Sequence, residues 1–173
     1  MREGVVLVLG GARSGKSAYA ERLVTESGLT PVYVATAEAG DAEMAARIAE
    51  HRARRGAGWT TVEAPERLEQ ILAREAGAGR ALLVDCLTLW LSNIMLAGAD
   101  AEKRCRALAD AALRLPGLVV FVSNEVGLGL VPDTPLGRRF RDAQGRLNQA
   151  MAAVAAQVVF MAAGLPVVLK GKS

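Results

Sequence analysis

A mostly parallel α/β sheet flanked by helices is the fold class this sequence predicts, and three observations predict it. Apolar, β-prone runs recur at Val5–Leu9, Pro31–Ala35, Ala81–Asp85, Leu118–Ser123 and Val158–Ala162. Helical stretches lie between most of them, the alternation that parallel strands with crossover helices require. Several of the runs are apolar throughout, as expected of strands buried on both faces.

Val5-Val6-Leu7-Val8-Leu9 reads as the first strand, and Lys16–Ser27, with few breakers, as the first helix. Pro31–Ala35 is the second strand. A helix over Asp41–Arg55 opens on an acceptable N-cap, with Glu43 in its first turn. Trp59–Glu63 is a short candidate strand before a helix over Pro65–Ala76. Ala81–Asp85 leads into helices over Leu87–Ala97 and Ala101–Leu115, and Leu118–Ser123 precedes a long helix over Pro135–Ala156. Val167–Lys170 is expected to pair with Val158–Ala162 through Gly164-Leu165-Pro166.

The 173 residues fit one domain with a sizeable core, and no linker, low-complexity tract or repeat suggests a second. Hydrophobic residues make up 51%, yet no apolar run approaches the length of a membrane span. Glu3 and the early end of the first apolar run do not suit a secretory signal, so a cytoplasmic protein is expected. Cys86 and Cys105 lack metal-like spacing and read as buried thiols rather than a disulfide. The net charge of +3 suits anionic substrates as well as nucleic acid. Aromatic residues at 4% give little support to base stacking, so no nucleic-acid partner is expected.

Ligands of such sheets bind at the carboxyl ends of the strands. The residues expected there are Gly10–Ser17, Thr36-Ala37, Asp85 and Ser123-Asn124-Glu125. Gly10-Gly11-Ala12-Arg13-Ser14-Gly15-Lys16-Ser17 contains G-x-x-x-x-G-K-S between a strand and a helix, the context of a phosphate-binding loop. Glycines let the backbone wrap a polyphosphate with its N–H groups pointing inward, and the helix adds the positive end of its dipole. Lys16 is then a point charge for the β- and γ-phosphates and Ser17 a hydroxyl ligand for Mg²⁺. Asp85 closes an apolar strand downstream of that loop and is a second candidate Mg²⁺ ligand; the alternative is an N-cap for the helix that follows.

His51 is the only histidine. At about 100° per residue it lies about 40° from Arg47, flanked by Arg54 and Arg55, with small apolar residues on the other side. A solvated basic face is one reading. The other is a nucleophile: neutral imidazole attacks phosphorus, and neighbouring guanidinium groups disfavour the imidazolium and bind phosphates. Ser123-Asn124-Glu125-Val126-Gly127-Leu128-Gly129 reads as a ligand-facing loop or an ordinary surface loop. Asn148 and Gln149 sit mid-helix, where Asn is not intrinsically favoured, and could cap or bond a nearby loop. The phosphate loop and Asp85 alone would also serve a kinase for another small alcohol, or a non-catalytic nucleotide switch or nucleic-acid module.

Taken together the motifs are more specific. Gly10–Ser17, Tyr33-Val34-Ala35-Thr36-Ala37, Asp41–Ile48, His51, Trp59 and Glu63 are followed by Ser123–Pro132, Phe140-Arg141-Asp142, Gly145 and Asn148-Gln149. With these the chain resembles the bifunctional adenosylcobinamide kinase/adenosylcobinamide-phosphate guanylyltransferase family of cobalamin biosynthesis over nearly its whole length. The resemblance implies a P-loop NTPase fold of RecA-like type. It implies two Mg²⁺-dependent reactions: ATP or GTP phosphorylates adenosylcobinamide, then GTP guanylylates a histidine that passes GMP to adenosylcobinamide phosphate, giving adenosylcobinamide-GDP. His51 matches the GMP-carrying residue. The family's nucleotide contacts carry over to Gly10, Gly11, Ala12, Arg13, Ser14, Gly15, Lys16 and Ser17, to Ala35, Thr36 and Ala37, to Arg52, Ala53, Arg54 and Arg55, and to Glu63 and Asp85. Lys16 and His51 are the implied catalytic residues, Ser17 and Asp85 the implied metal ligands, and a trimer the implied homo-oligomer.

Overall fold

The computed structural model describes residues 3–37, 49, 53, 55, 56 and 58–171. Seven strands form one sheet: β1 (Gly4–Gly10), β2 (Thr30–Ala35), β3 (Thr60–Glu63), β4 (Arg80–Asp85), β5 (Leu118–Asn124), β6 (Gln157–Ala162) and β7 (Leu165–Lys170). The helices are α1 (Lys16–Glu26), α2 (Leu68–Glu75), α3 (Leu87–Leu96), α4 (Ala101–Ala112) and α5 (Pro135–Val154). The strand order is β3-β2-β4-β5-β1-β6-β7. All neighbours are parallel except β6 and β7. Of the predicted Asp41–Arg55 helix, only Ala49, Ala53 and Arg55 are among the described residues, each helical.

Side chains alternate across the pleat, so each strand feeds two cores. Leu7, Val34, Val84 and Phe121 point to the face covered by α2, α3, α4 and α5. Val8, Leu83, Val120 and Val159 point to the face that packs Ala20 and Val24 of α1. That two-sided burial is why the central strands carry almost no polar residue until their last positions. The carboxyl ends of β1 to β5 consequently emerge on one edge of the sheet, where the chemistry-bearing residues cluster.

Two of the five helices named above start on a side-chain cap. Asp100 caps α4 by accepting from the Lys103 N–H at 3.0 Å, and Thr134 caps α5 by accepting from the Gly137 N–H at 3.1 Å. The α3 start differs from one of the two roles considered for Asp85: its N-cap is Cys86, with no side-chain capping bond. The second helix begins at Leu68 rather than Pro65. The last hairpin turns at Ala163-Gly164, both with left-handed φ (52° and 80°), so Leu165 and Pro166 already belong to β7. Pro166 is tolerated because β7 is an edge strand. Both cysteines are free and buried, and burial pushes the Cys86 thiol up to about 12 and Cys105 up to about 11. Among the described residues no helix is long and apolar enough to cross a membrane.

Candidate active site

The loop after β1 is built by close approach. Gly10 has φ 153°, and a Cβ there would stand 2.6 Å from the Met161 carbonyl oxygen and 2.7 Å from Ser14 Oγ. Only glycine fits without displacing β6. Arg13 (φ 54°) and Gly15 (φ 93°) take the left-handed turns that curl the loop back into α1. The β6–β7 turn supports it from the side, where the Gly164 N–H donates to the Ser14 carbonyl at 3.1 Å. Lys16 reaches back across the loop and donates from Nζ to the Gly11 carbonyl at 2.5 Å, with only 7% of the residue exposed. Gly15 caps α1 without a side-chain bond, and the first turn holds no acid. The N–H groups at that helix start therefore have no carboxylate of their own turn to answer them, which favours an external anion.

Electrostatics agree with that reading. Burial holds the Lys16 ammonium below the ordinary lysine value, while Cys86 and Asp85 at the end of β4 work against the shift. A buried cation with one carbonyl partner is chemically suited to phosphate oxygens. Ser17 follows at half-buried depth in the first turn of α1, and Asp85 is 9% exposed at the end of β4. A hydroxyl and a carboxylate are hard oxygen donors. They fit Mg²⁺, which binds through one or two protein oxygens, phosphate and water rather than in a full protein cage. Among the described residues there is no group of three or more His, Cys, Asp or Glu side chains that could hold a metal ion.

The ends of β2 and β4 are laced together. Thr36 Oγ1 donates to the Cys86 carbonyl and accepts from the Cys86 N–H, both at 2.7 Å. Asn93 Nδ2 donates to the Thr36 carbonyl at 2.9 Å. Thr36 is fully buried, so its hydroxyl fixes the strand ends, while half-buried Ala35 and Ala37 flank it. Glu63 is exposed and in register with Ala35.

Arg55 has a place that the helical wheel does not anticipate. Its guanidinium lies 3.4 Å from the Tyr33 ring centroid and 3.9 Å from Glu21 Oε1, with 4% of the side chain exposed. It clasps β2 and α1 instead of lining a solvated stripe. The Tyr33 hydroxyl is held above its ordinary range chiefly by burial, with Asp85 adding and Arg55 opposing. Ala53 is exposed. His51, Arg52 and Arg54 lie outside the described residues.

Beyond β5, Glu125 Oε1 accepts from the Gly127 N–H at 2.7 Å, and Leu128 and Leu130 are 82% and 95% exposed. Asn148 does bond the loop, donating from Nδ2 to the Asn124 carbonyl at 3.1 Å. Gln149 is exposed; its expected partnership belongs to Gln144, which donates to both Ser123 Oγ and Asn148 Oδ1 at 2.9 Å. The sequence signal was there: Gln144 and Asn148 are four apart and share a helix face. Thr88, whose Oγ1 accepts from the Asn124 N–H at 2.8 Å, carries no comparable signal.

The glycine loop, its buried lysine and an acid two strands away in a RecA-like sheet define a P-loop nucleotide-binding protein. Solved structures share this fold. The P4 protein from bacteriophage phi6 in complex with ADP aligns with TM-score 0.54 at 15% identity, over 95% of this chain and 54% of that one. A prototypical ATPase of a bacterial type III secretion system aligns with TM-score 0.55 at 11% identity, over 91% and 50%. The family model described as cobinamide kinase / cobinamide phosphate guanyltransferase matches residues 6–169, and the chain belongs to that family of enzymes. The bifunctional adenosylcobalamin biosynthesis protein CobP of Pseudomonas aeruginosa is 55% identical, over 96% of this chain and 97% of the relative. CobU of Escherichia coli, of the same description, is 38% identical over 96% and 99%.

Proposed function

We propose that this chain phosphorylates adenosylcobinamide with ATP or GTP and then transfers GMP from GTP to the product through a covalent intermediate on His51. The observation that carries the reading is Lys16. It is a buried ammonium across a glycine loop, beside the strand-end acid Asp85, in a chain belonging to a kinase/guanyltransferase family. One loop then serves both reactions, because each begins with a bound triphosphate.

In the first reaction the aminopropanol hydroxyl oxygen bonds to the γ-phosphorus. The bond to the β–γ bridging oxygen breaks, the nucleoside diphosphate leaves, and the hydroxyl proton passes to solvent. Lys16 and the loop N–H groups hold the polyphosphate in line and stabilise the charge that moves to the bridging oxygen. Ser17 and Asp85 would hold Mg²⁺, which when bound neutralises charge on the phosphates. In the second reaction the lone pair of neutral His51 forms an N–P bond to the α-phosphorus of GTP as pyrophosphate leaves. A phosphate oxygen of adenosylcobinamide phosphate then attacks the same phosphorus, and the N–P electron pair returns to the imidazole.

His51→Ala should separate the two chemistries. The variant is expected to phosphorylate adenosylcobinamide and to make no adenosylcobinamide-GDP. Full guanylyl transfer by the variant would remove His51 from the mechanism. The reading includes a homotrimer; alternate residues Leu165, Val167 and Leu169 on the edge strand β7 are 68%, 49% and 61% exposed, which supports a covered surface. Sedimentation equilibrium should give the mass of three chains, and a monomer mass would refute that part.

A further inference from the structure

Behind β5 lies a polar cluster that the chemistry above does not use. Ser123 and Gln144 are fully buried and Asn148 is 5% exposed, at positions where α5 would otherwise press apolar side chains onto the sheet. Polar groups at that depth cost stability unless bonded. Ser123 and Gln144 bond to Asn148, and Asn148 alone of the three reaches the peptide unit between Asn124 and Glu125. The Asn124 carbonyl accepts from Asn148 Nδ2 at 3.1 Å, and the N–H of that same peptide, carried by Glu125, donates to the Gly10 carbonyl at 3.0 Å. Asn148 Oδ1 accepts from Ser123 Oγ at 2.7 Å and from Gln144 Nε2 at 2.9 Å, which keeps the amide turned with its donor toward Asn124. From the other side the Asn124 N–H donates to Thr88 Oγ1 at 2.8 Å, three residues beyond Asp85.

The register gives this clamp its meaning. Asn124 pairs with Gly10, the first residue of the phosphate loop, and β5 is the strand that separates β1 from β4 and its terminal Asp85. Both main-chain groups on either side of Asn124 are thus fixed by side chains from two different helices. Phosphoryl transfer depends on the relative placement of loop and acid, and a displacement of about 1 Å costs on the order of a hundredfold in rate.

We infer that Thr88 and Asn148 are positioning residues: by holding the Asn124 main chain from opposite sides they set the Gly10 end of the phosphate loop relative to Asp85. The inference rests on the phosphate-loop reading above. The test uses the full chain with ATP, Mg²⁺ and adenosylcobinamide. Thr88→Val keeps the volume and removes the acceptor, Thr88→Ser restores it, and Asn148→Ala removes the opposing donor. Asp100→Ala, which loses only the α4 cap, controls for a general loss of stability. We expect kcat to fall about tenfold or more in Thr88→Val and Asn148→Ala with KM for ATP within about threefold, and Thr88→Ser to recover most of it. Asp100→Ala should lower Tm and keep its kcat. Wild-type kcat in Thr88→Val, or a loss in Asp100→Ala that matches it at equal Tm, would overturn the inference. Should Asn148→Ala not fold, the Thr88 pair decides. If Lys16→Ala binds ATP as tightly as wild type, the phosphate-loop reading itself fails and the inference falls with it. If Lys16→Ala loses ATP binding while Thr88→Val keeps the wild-type rate, the positioning role alone is refuted.

Discussion

Lys16 concentrates the electrostatics of the site in one residue. Its folded-state pKa is held below the ordinary lysine value of 10.5 by burial. In the window between that lowered value and 10.5 the unfolded chain binds more protons than the native one, so this residue makes stability rise with pH there. A polyphosphate against Nζ favours the charged form and lifts the pKa again. Nucleotide binding in the same window should therefore take up a proton. Calorimetric titration with a non-hydrolysable triphosphate at alkaline pH, in two buffers of different ionisation enthalpy, should show net uptake that Lys16→Met abolishes. Equal uptake in the two proteins would contradict the assignment. Arg55 makes the opposite point at this scale. From sequence it belongs to a basic stripe with His51, yet it is spent on Tyr33 and Glu21. A helical wheel gives direction around an axis and says nothing of what stands opposite.

At the scale of elements, the β1–loop–α1 unit depends on β6 and β7 as much as on itself. Gly10 is hemmed in by the Met161 carbonyl, and Ser14 is bonded by the hairpin glycine Gly164. Gly10→Ala should cost on the order of 1–3 kcal/mol, read from the urea midpoint, and should weaken triphosphate binding. Gly11→Ala, where a Cβ meets nothing within 4 Å, is the control and should leave the midpoint nearly unchanged. Equal shifts in the two variants would refute the packing argument. The loop was legible from sequence because its chemistry lies within eight consecutive residues, Gly10 to Ser17. The strands were legible because burial on both faces writes an unbroken apolar run. The Ala163-Gly164 turn was misplaced because Pro166 reads as a turn residue until β7 is known to be an edge. The Thr36–Cys86 lacing spans 50 positions and the Asn148–Asn124 bond 24, with no local pattern to announce either.

The whole molecule is a sheet whose order places β5 between the phosphate loop and Asp85, with two apolar cores holding the strand ends in register. In the proposed function one triphosphate site in such a frame serves attack at the γ-phosphorus by a substrate hydroxyl and attack at the α-phosphorus by an enzyme nitrogen. Only the second leaves part of the nucleotide on the protein. The most direct test is therefore mass spectrometry of the intact and digested chain after incubation with GTP and Mg²⁺ and no corrinoid. One acid-labile GMP adduct is expected on the peptide containing His51, absent in His51→Ala and chased off by adenosylcobinamide phosphate. An adduct on Lys16 or another residue, or one that persists in His51→Ala, would contradict the proposed role of His51.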